Sequence, residues 1–125
     1  VSLACKEAKI KVSDLDFAEV HDCFTVNELL CAEAIGLSDA GRAGFDLMDG
    51  KFDPGSDCPI NLSGGLKAKG HPVGATGASM HALAYKQLTG KPIGVAAKEN
   101  SETAMTVNIG GSGVTNCVSV LRRIQ

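Results

Sequence analysis

A chain of 125 residues, 44% apolar and 21% charged, has the size and balance of one small globular domain. A formal net charge of −2, without a basic run or an acidic tail, gives no reason to expect nucleic acid or an anionic membrane as partner, and no apolar run is long enough to cross a bilayer. The five cysteines are odd in number and lack a Cys-x-x-Cys pair, so neither a disulfide framework nor a metal site is suggested, and a reducing, intracellular setting fits best.

Val1 to about Lys9 is expected to be a short helix with Leu3, Ala4 and Ala8 on its apolar side. Ser13-Asp14 reads as a turn and Leu15 to Val20 as a strand, because a short apolar run favours a buried strand over a helix. Thr25-Val26-Asn27-Glu28 matches a capping box, with Thr25 at the cap, and opens a helix from Val26 to about Ile35 that Gly36 ends. Residues 38–59 are broken up by glycine and proline and read as a surface excursion with room for one short helix. Ile60-Asn61-Leu62 is a candidate brief strand. A long glycine-rich loop follows, Ser63 to Gly77, feeding a helix from about Ala75 to Leu88 that Thr89-Gly90-Lys91-Pro92 stops. The tail predicts two strands, Thr103–Ile109 and Val114–Arg122, joined by a hairpin-type turn over Gly110–Gly113.

That order predicts an α/β fold: a mixed, partly parallel sheet with helices packed on it, closed by an antiparallel strand pair. A lone domain of this kind ordinarily opens with a strand, whereas this chain opens in a helix pattern without Met. A single domain over residues 1–125 is therefore expected, truncated at its first strand and taken from a longer chain or from one half of a split enzyme.

Three stretches carry chemistry. His21-Asp22-Cys23-Phe24 falls at a strand's carboxyl end, where open α/β sheets bind ligands. A thiol there, before a helix and beside an imidazole, can act as nucleophile or as general acid/base. Its bland alternative is a small buried hydrophobe, the fate assigned to Cys5, Cys31 and Cys117 in their apolar patterns, while Cys58 stays unassigned in a loop. Asp22 reads as a structural hydrogen-bond acceptor rather than a catalyst. His71 sits in Gly70-His71-Pro72-Val73-Gly74-Ala75-Thr76-Gly77, where Pro72 stiffens the backbone and the glycines admit close approach. The helix that follows favours negative charge nearby, but the Gly-Lys-[Ser/Thr] ending of a P-loop is absent. Lys67 and Lys69 either meet an anionic ligand or are simply solvated. Asn108-Ile109-Gly110-Gly111-Ser112-Gly113 either offers a bare N–H to an oxyanion or is only a tight turn.

Together, HDCF, SGGLKAKGHPVGATG and NIGGSG resemble, in this order and spacing, the C-terminal half of a thiolase, most nearly of the sterol-carrier-protein type, over almost the whole chain. Ordinary thiolases carry Asn-Glu-x-Phe, Gly-His-Pro and Cys-x-Gly motifs here; Asn108-Ile109-Gly110 lacks the third motif's cysteine, and Cys23 of HDCF would compensate. The resemblance implies an acetyl-CoA acyltransferase of lipid and fatty acid metabolism, cleaving 3-ketoacyl-CoA reversibly to acetyl-CoA and a shortened acyl-CoA. It implies that Cys23 carries the proton of the acetyl carbanion and that His71 activates the nucleophile and polarises the thioester oxygen. His21 would stand where the ordinary Asn helps form an oxyanion hole, and the Gly110 N–H would contribute to a second.

Ser63, Gly70, Gly74 and Ala75 are the candidate contacts to coenzyme A, which enters as substrate rather than as a bound cofactor. The family's nucleophilic cysteine belongs to the N-terminal thiolase half, the expected partner, so this chain alone is expected to be inactive. A homo-oligomer is expected at full length, cytoplasmic, or peroxisomal if eukaryotic. The competing readings are a thiolase-fold retro-aldolase, a ketoacyl-synthase-like enzyme using His21 and His71, and a non-catalytic module for CoA-thioester binding or assembly.

Overall fold

The sheet has three strands, β1 (Phe17–Val20), β2 (Thr103–Gly110) and β3 (Thr115–Arg122), in the order β1-β2-β3. β1 runs parallel to β2 in the register Phe17↔Ala104 to Val20↔Val107, and β2 pairs antiparallel with β3 from Thr103↔Arg122 to Gly110↔Thr115. In this computed structural model residues 1–124 are described; Gln125, the last residue of the expected domain, lies outside the described residues.

Alternation along the strands divides the core in two. Ala18, Val20, Met105 and Val107 point to one face, where Cys5 of α1 (Ser2–Ala8) and Cys31, Ala32 and Ile35 of α2 (Thr25–Ile35) cover them. Phe17 and Ala104 point to the other, under Ala84 and Leu88 of α5 (Thr76–Leu88). Helices on both faces bury all four residues of β1, as a parallel strand requires. The expected mixed sheet with an antiparallel closing pair is therefore present.

Gly36, at φ 93°, ends α2 as expected, and its N–H and that of Leu37 both return to the Ala32 carbonyl. The excursion after α2 does hold one short helix, α3 (Ala43–Met48).

Three local expectations fail. The capping box is absent: Phe24 is the N-cap without a side-chain bond, Thr25 is already helical, and Glu28 turns instead toward the Asn61 amide. Ile60–Leu62 forms no full strand, only a bridge from Ile60 to Ala18, because Asn61, whose N–H still bonds the Ala18 carbonyl at 2.8 Å, adopts φ 53° and ends the pairing there. Its side chain continues the ladder in place of the backbone, its Oδ1 accepting the Val20 N–H at 2.8 Å. The glycine-rich loop also contains a helix, α4 (Gly65–Lys69), entered through left-handed Gly64 and Gly65. A Cβ on Gly65 would collide with the Asp22 carboxylate, and that carboxylate accepts the Leu66 N–H at 2.8 Å. Asp22 is thus a structural acceptor, as expected, but for α4 rather than α2.

Candidate active site

His21 follows β1 directly, its N–H bonded to the Val107 carbonyl at 2.9 Å. One register step past Val20↔Val107 therefore sets His21 across from Asn108, with both side chains on the α5 face. Their side chains meet, His21 Nδ1 to Asn108 Oδ1 at 2.9 Å. A carbonyl oxygen only accepts, so Nδ1 carries the proton and the neutral ring has its lone pair at Nε2.

His71, on the loop before α5, is held in the same way by a different residue. Its Nδ1 lies 2.7 Å from Thr76 Oγ1, and that hydroxyl also reaches the Pro72 carbonyl at 3.1 Å. With the hydroxyl proton on Pro72, Nδ1–H donates to Oγ1 and Nε2 of the neutral ring is unprotonated; with it on Nδ1, the tautomer is reversed. The two imidazoles pack edge to face, centroids 4.9 Å apart. No protein group among the described residues bonds either Nε2.

Cys23, partly exposed, receives a hydrogen bond from Asn27 Nδ2 at 3.1 Å. Residues four apart on a helical turn reach each other in this way, so α2 both follows Cys23 and steadies its sulfur. Cys23, His21, His71, Asn108 and Gly110 all line one cleft of about 540 Å³ at the carboxyl ends of β1 and β2. Exposed Phe24, Leu30 and Val73 give its walls an apolar character. Such a cleft can move a proton to and from a bound molecule at imidazole or thiol.

The four expected catalytic residues are thus brought together. Those expected at coenzyme A are not in this cleft's lining. Gly70, Gly74 and Ala75 are exposed on the loop, and Ser63 is buried, its hydroxyl 2.6 Å from Glu19 Oε2. Glu19 is fully buried in β1 and also receives the Ser63 N–H and Lys69 Nζ, the latter at 3.5 Å. Lys69 is therefore neither solvated nor free for a ligand, while Lys67 is exposed.

The cysteines divide differently from expectation. Cys5 and Cys31 are buried as assigned, Cys58 is also buried, and Cys117 is exposed because that end of β3 lies uncovered at the sheet's rim. Burial pushes the Cys31 thiol up to about 11 and that of Cys58 up to about 12, so neither is a nucleophile near neutrality. Asn27, Thr76 and Asn108 were not among the sequence candidates. Each acts through a candidate already named, and each stands in a quoted motif or one turn from it. Among the described residues no cluster of His, Cys, Asp and Glu could hold a metal ion, and no helix is long and apolar enough to cross a membrane.

Comparison with known proteins agrees with this geometry. The family described as "Thiolase C-terminal domain-like" matches residues 1–123. An "Acetyl-CoA acetyltransferase" of Methanothermobacter thermautotrophicus is 44% identical over 96% of this chain and 31% of its own length. "Sterol carrier protein 2" of Gallus gallus is 49% identical over 68% of this chain and 16% of its own length. "Benzoylsuccinyl-CoA thiolase subunit BbsB" of Thauera aromatica is 36% identical over 85% of this chain and 28% of its own length. The chain thus spans at most about a third of these relatives. Among solved structures, "Ltp2-ChsH2(DUF35) aldolase" superposes with a TM-score of 0.79 over 97% of this chain and 30% of its own, at 22% identity, which shows the shared fold. A family match running from the first helix to the last strand, over the residues that build the cleft, makes this chain a member of the thiolase family's C-terminal domain.

Proposed function

We propose that this chain supplies the acid/base and oxyanion groups of an acetyl-CoA acyltransferase, which cleaves 3-ketoacyl-CoA reversibly with free coenzyme A. The observation that carries the reading is the convergence of Cys23, His71, His21 and Gly110 on one cleft. Identity to acetyl-CoA acetyltransferases over nearly the whole chain supports it.

In this reading the nucleophilic thiol comes from an N-terminal thiolase half. With its Nδ1–H donated to Thr76, His71 takes the thiol proton at Nε2. The thiolate adds to the C3 carbonyl carbon, whose oxygen becomes an oxyanion beside the Gly110 N–H. As that carbonyl re-forms, the C2–C3 bond breaks, and its electron pair leaves on the acetyl-CoA carbon as an enolate. Cys23 gives its proton to that carbon and becomes a thiolate, which the Asn27 amide N–H supports. A second coenzyme A yields its thiol proton to Cys23, and its sulfur attacks the acyl-enzyme. Shortened acyl-CoA departs as the tetrahedral intermediate collapses, and the freed nucleophilic thiolate takes its proton back from His71, which restores both groups. The apolar cleft wall suits the acyl chain.

The test is thiolysis of acetoacetyl-CoA by the natural full-length protein, following acetyl-CoA. Cys23→Ala and His71→Ala are each expected to lower kcat by about 10²- to 10⁴-fold, the range of a lost proton-transfer group. Unchanged activity in both variants would assign the domain to binding or assembly. A free ketone or aldehyde in place of acetyl-CoA would assign the cleft to retro-aldol cleavage.

A further inference from the structure

We infer that Asn108 is a positioning residue that selects the nitrogen His21 turns to the reaction; the inference rests on the thiolase reading of the cleft.

The expected task of His21 is to steady an oxyanion, which requires an N–H. In this structure its Nδ1–H is taken by Asn108 Oδ1 at 2.9 Å. Nε2 has no protein partner, so it is the nitrogen available to a ligand in the cleft that His21 lines. Neutral His21 thus offers that ligand a lone pair. It serves an oxyanion only when both nitrogens carry protons, and Asn108 is what imposes this condition. The ring is largely buried, and Nδ1 has its partner in Asn108.

A second observation concerns the space around the Asn108 amide. Gly77, in the first turn of α5, lies so close that a Cβ there would come within 3.1 Å of Asn108 Nδ2. Thr76, its neighbour, holds His71. The start of α5 therefore bonds one imidazole through Thr76 and leaves room, at Gly77, for the amide that bonds the other. Nδ2 lies on the α5 side of the amide, and Oδ1 is the end that meets His21.

Two arms of one experiment test this in the full-length protein. The first is the ¹⁵N spectrum of histidine-labelled protein, with the His21 signals identified by subtraction of His21→Gln. A neutral ring protonated at Nδ1 is expected in the wild type, and a mixture of tautomers in Asn108→Leu. This arm needs no catalysis, so it stands even if the thiolase reading fails. The second arm is kinetic. Asn108→Leu is expected to lower kcat several-fold at nearly constant KM, because only part of the His21 population then presents the nitrogen that the wild type presents. Asn108→Asp keeps the acceptor and is expected to lose less of kcat than the Leu variant. If Asn108→Leu does not fold, Gly77→Ala replaces it: alanine favours the helix but crowds the amide, so kcat should fall several-fold with no loss of Tm. A neutral wild-type His21 protonated at Nε2 overturns the proposal. So does an Asp variant as damaged as the Leu variant, or a Gly77→Ala protein with unchanged spectrum and unchanged kcat.

Discussion

The rings of His21 and His71 meet edge to face, with centroids 4.9 Å apart and planes at 83°, each secured at Nδ1 by a separate neutral partner. Neither partner is charged, so the pair is oriented without a buried carboxylate of the kind that fixes the histidine in hydrolase triads.

The Thr76 hydroxyl is the partner that holds His71 at Nδ1. Thr76→Val should therefore lower kcat by about 10²-fold while thiol alkylation shows an intact fold, and Thr76→Ser should recover most of the activity. Equal activity in the Val variant would mean that His71 orients itself.

Glu19 lies fully buried, bridging β1 to Ser63 and to Lys69, two positions before His71. Removing one partner of such a group strands the others, so Glu19→Ala should lose about 3 kcal/mol in urea unfolding. Glu19→Gln, which keeps an acceptor, should lose less. A loss below about 1 kcal/mol in the Ala variant, the worth of an exposed pair, would show that the bridge carries little.

Glu28 has its carboxyl held above the ordinary range, first by burial, then by nearby Asp22, with the Asn61 amide opposing. A carboxyl raised by folding gives its stabilisation fully below the unfolded value near 4.5, and loses it as pH rises through the folded value. Ionised Glu28 therefore costs stability at neutrality. Glu28→Gln should raise Tm at about pH 7 and not at about pH 4. The same rise at both would locate the effect elsewhere.

The buried thiols of Cys31 and Cys58, raised to about 11 and about 12, should resist iodoacetamide at about pH 8 until the protein unfolds, while Cys23 and Cys117 react in the native state. Mass spectrometry of the native digest reads this directly. The same shifts work against the fold in alkali: stability held below the unfolded thiol value of 9.0 declines as pH rises through the folded values.

The major strands and helices were legible because each carries its own period and its own stops. Gly36 ended α2, and Thr89-Gly90 ended α5, where the sequence placed them. The motifs also placed His21, Cys23, His71 and Gly110 at one cleft. What stayed hidden depends on partners far along the chain. α4 begins at glycines that read as loop, and the carboxylate that receives its Leu66 N–H, Asp22, lies 44 positions earlier. Glu28 looked like a capping residue because local spacing cannot show Asn61, 33 positions away. Cys117 sits among apolar neighbours, and only the sheet order reveals that its end of the strand is uncovered. Asn108 was quoted for the glycines after it, whereas its role comes from the register of β1 on β2.

That register also sets when the cleft comes into being. β2 and β3 are joined by a four-residue connection, residues 111–114, and can zip as a local hairpin within microseconds. β1 reaches β2 only by closing a long stretch of chain, for His21 and Asn108 stand 87 positions apart. The imidazole finds its amide only once this non-local pairing forms, so the cleft is completed late in folding. In pulse-labelled hydrogen exchange, the His21 N–H, which is held by Val107, should gain protection after the hairpin amides do. The same order makes any slip in the β1 register cost His21 its partner before it costs the hairpin a single bond.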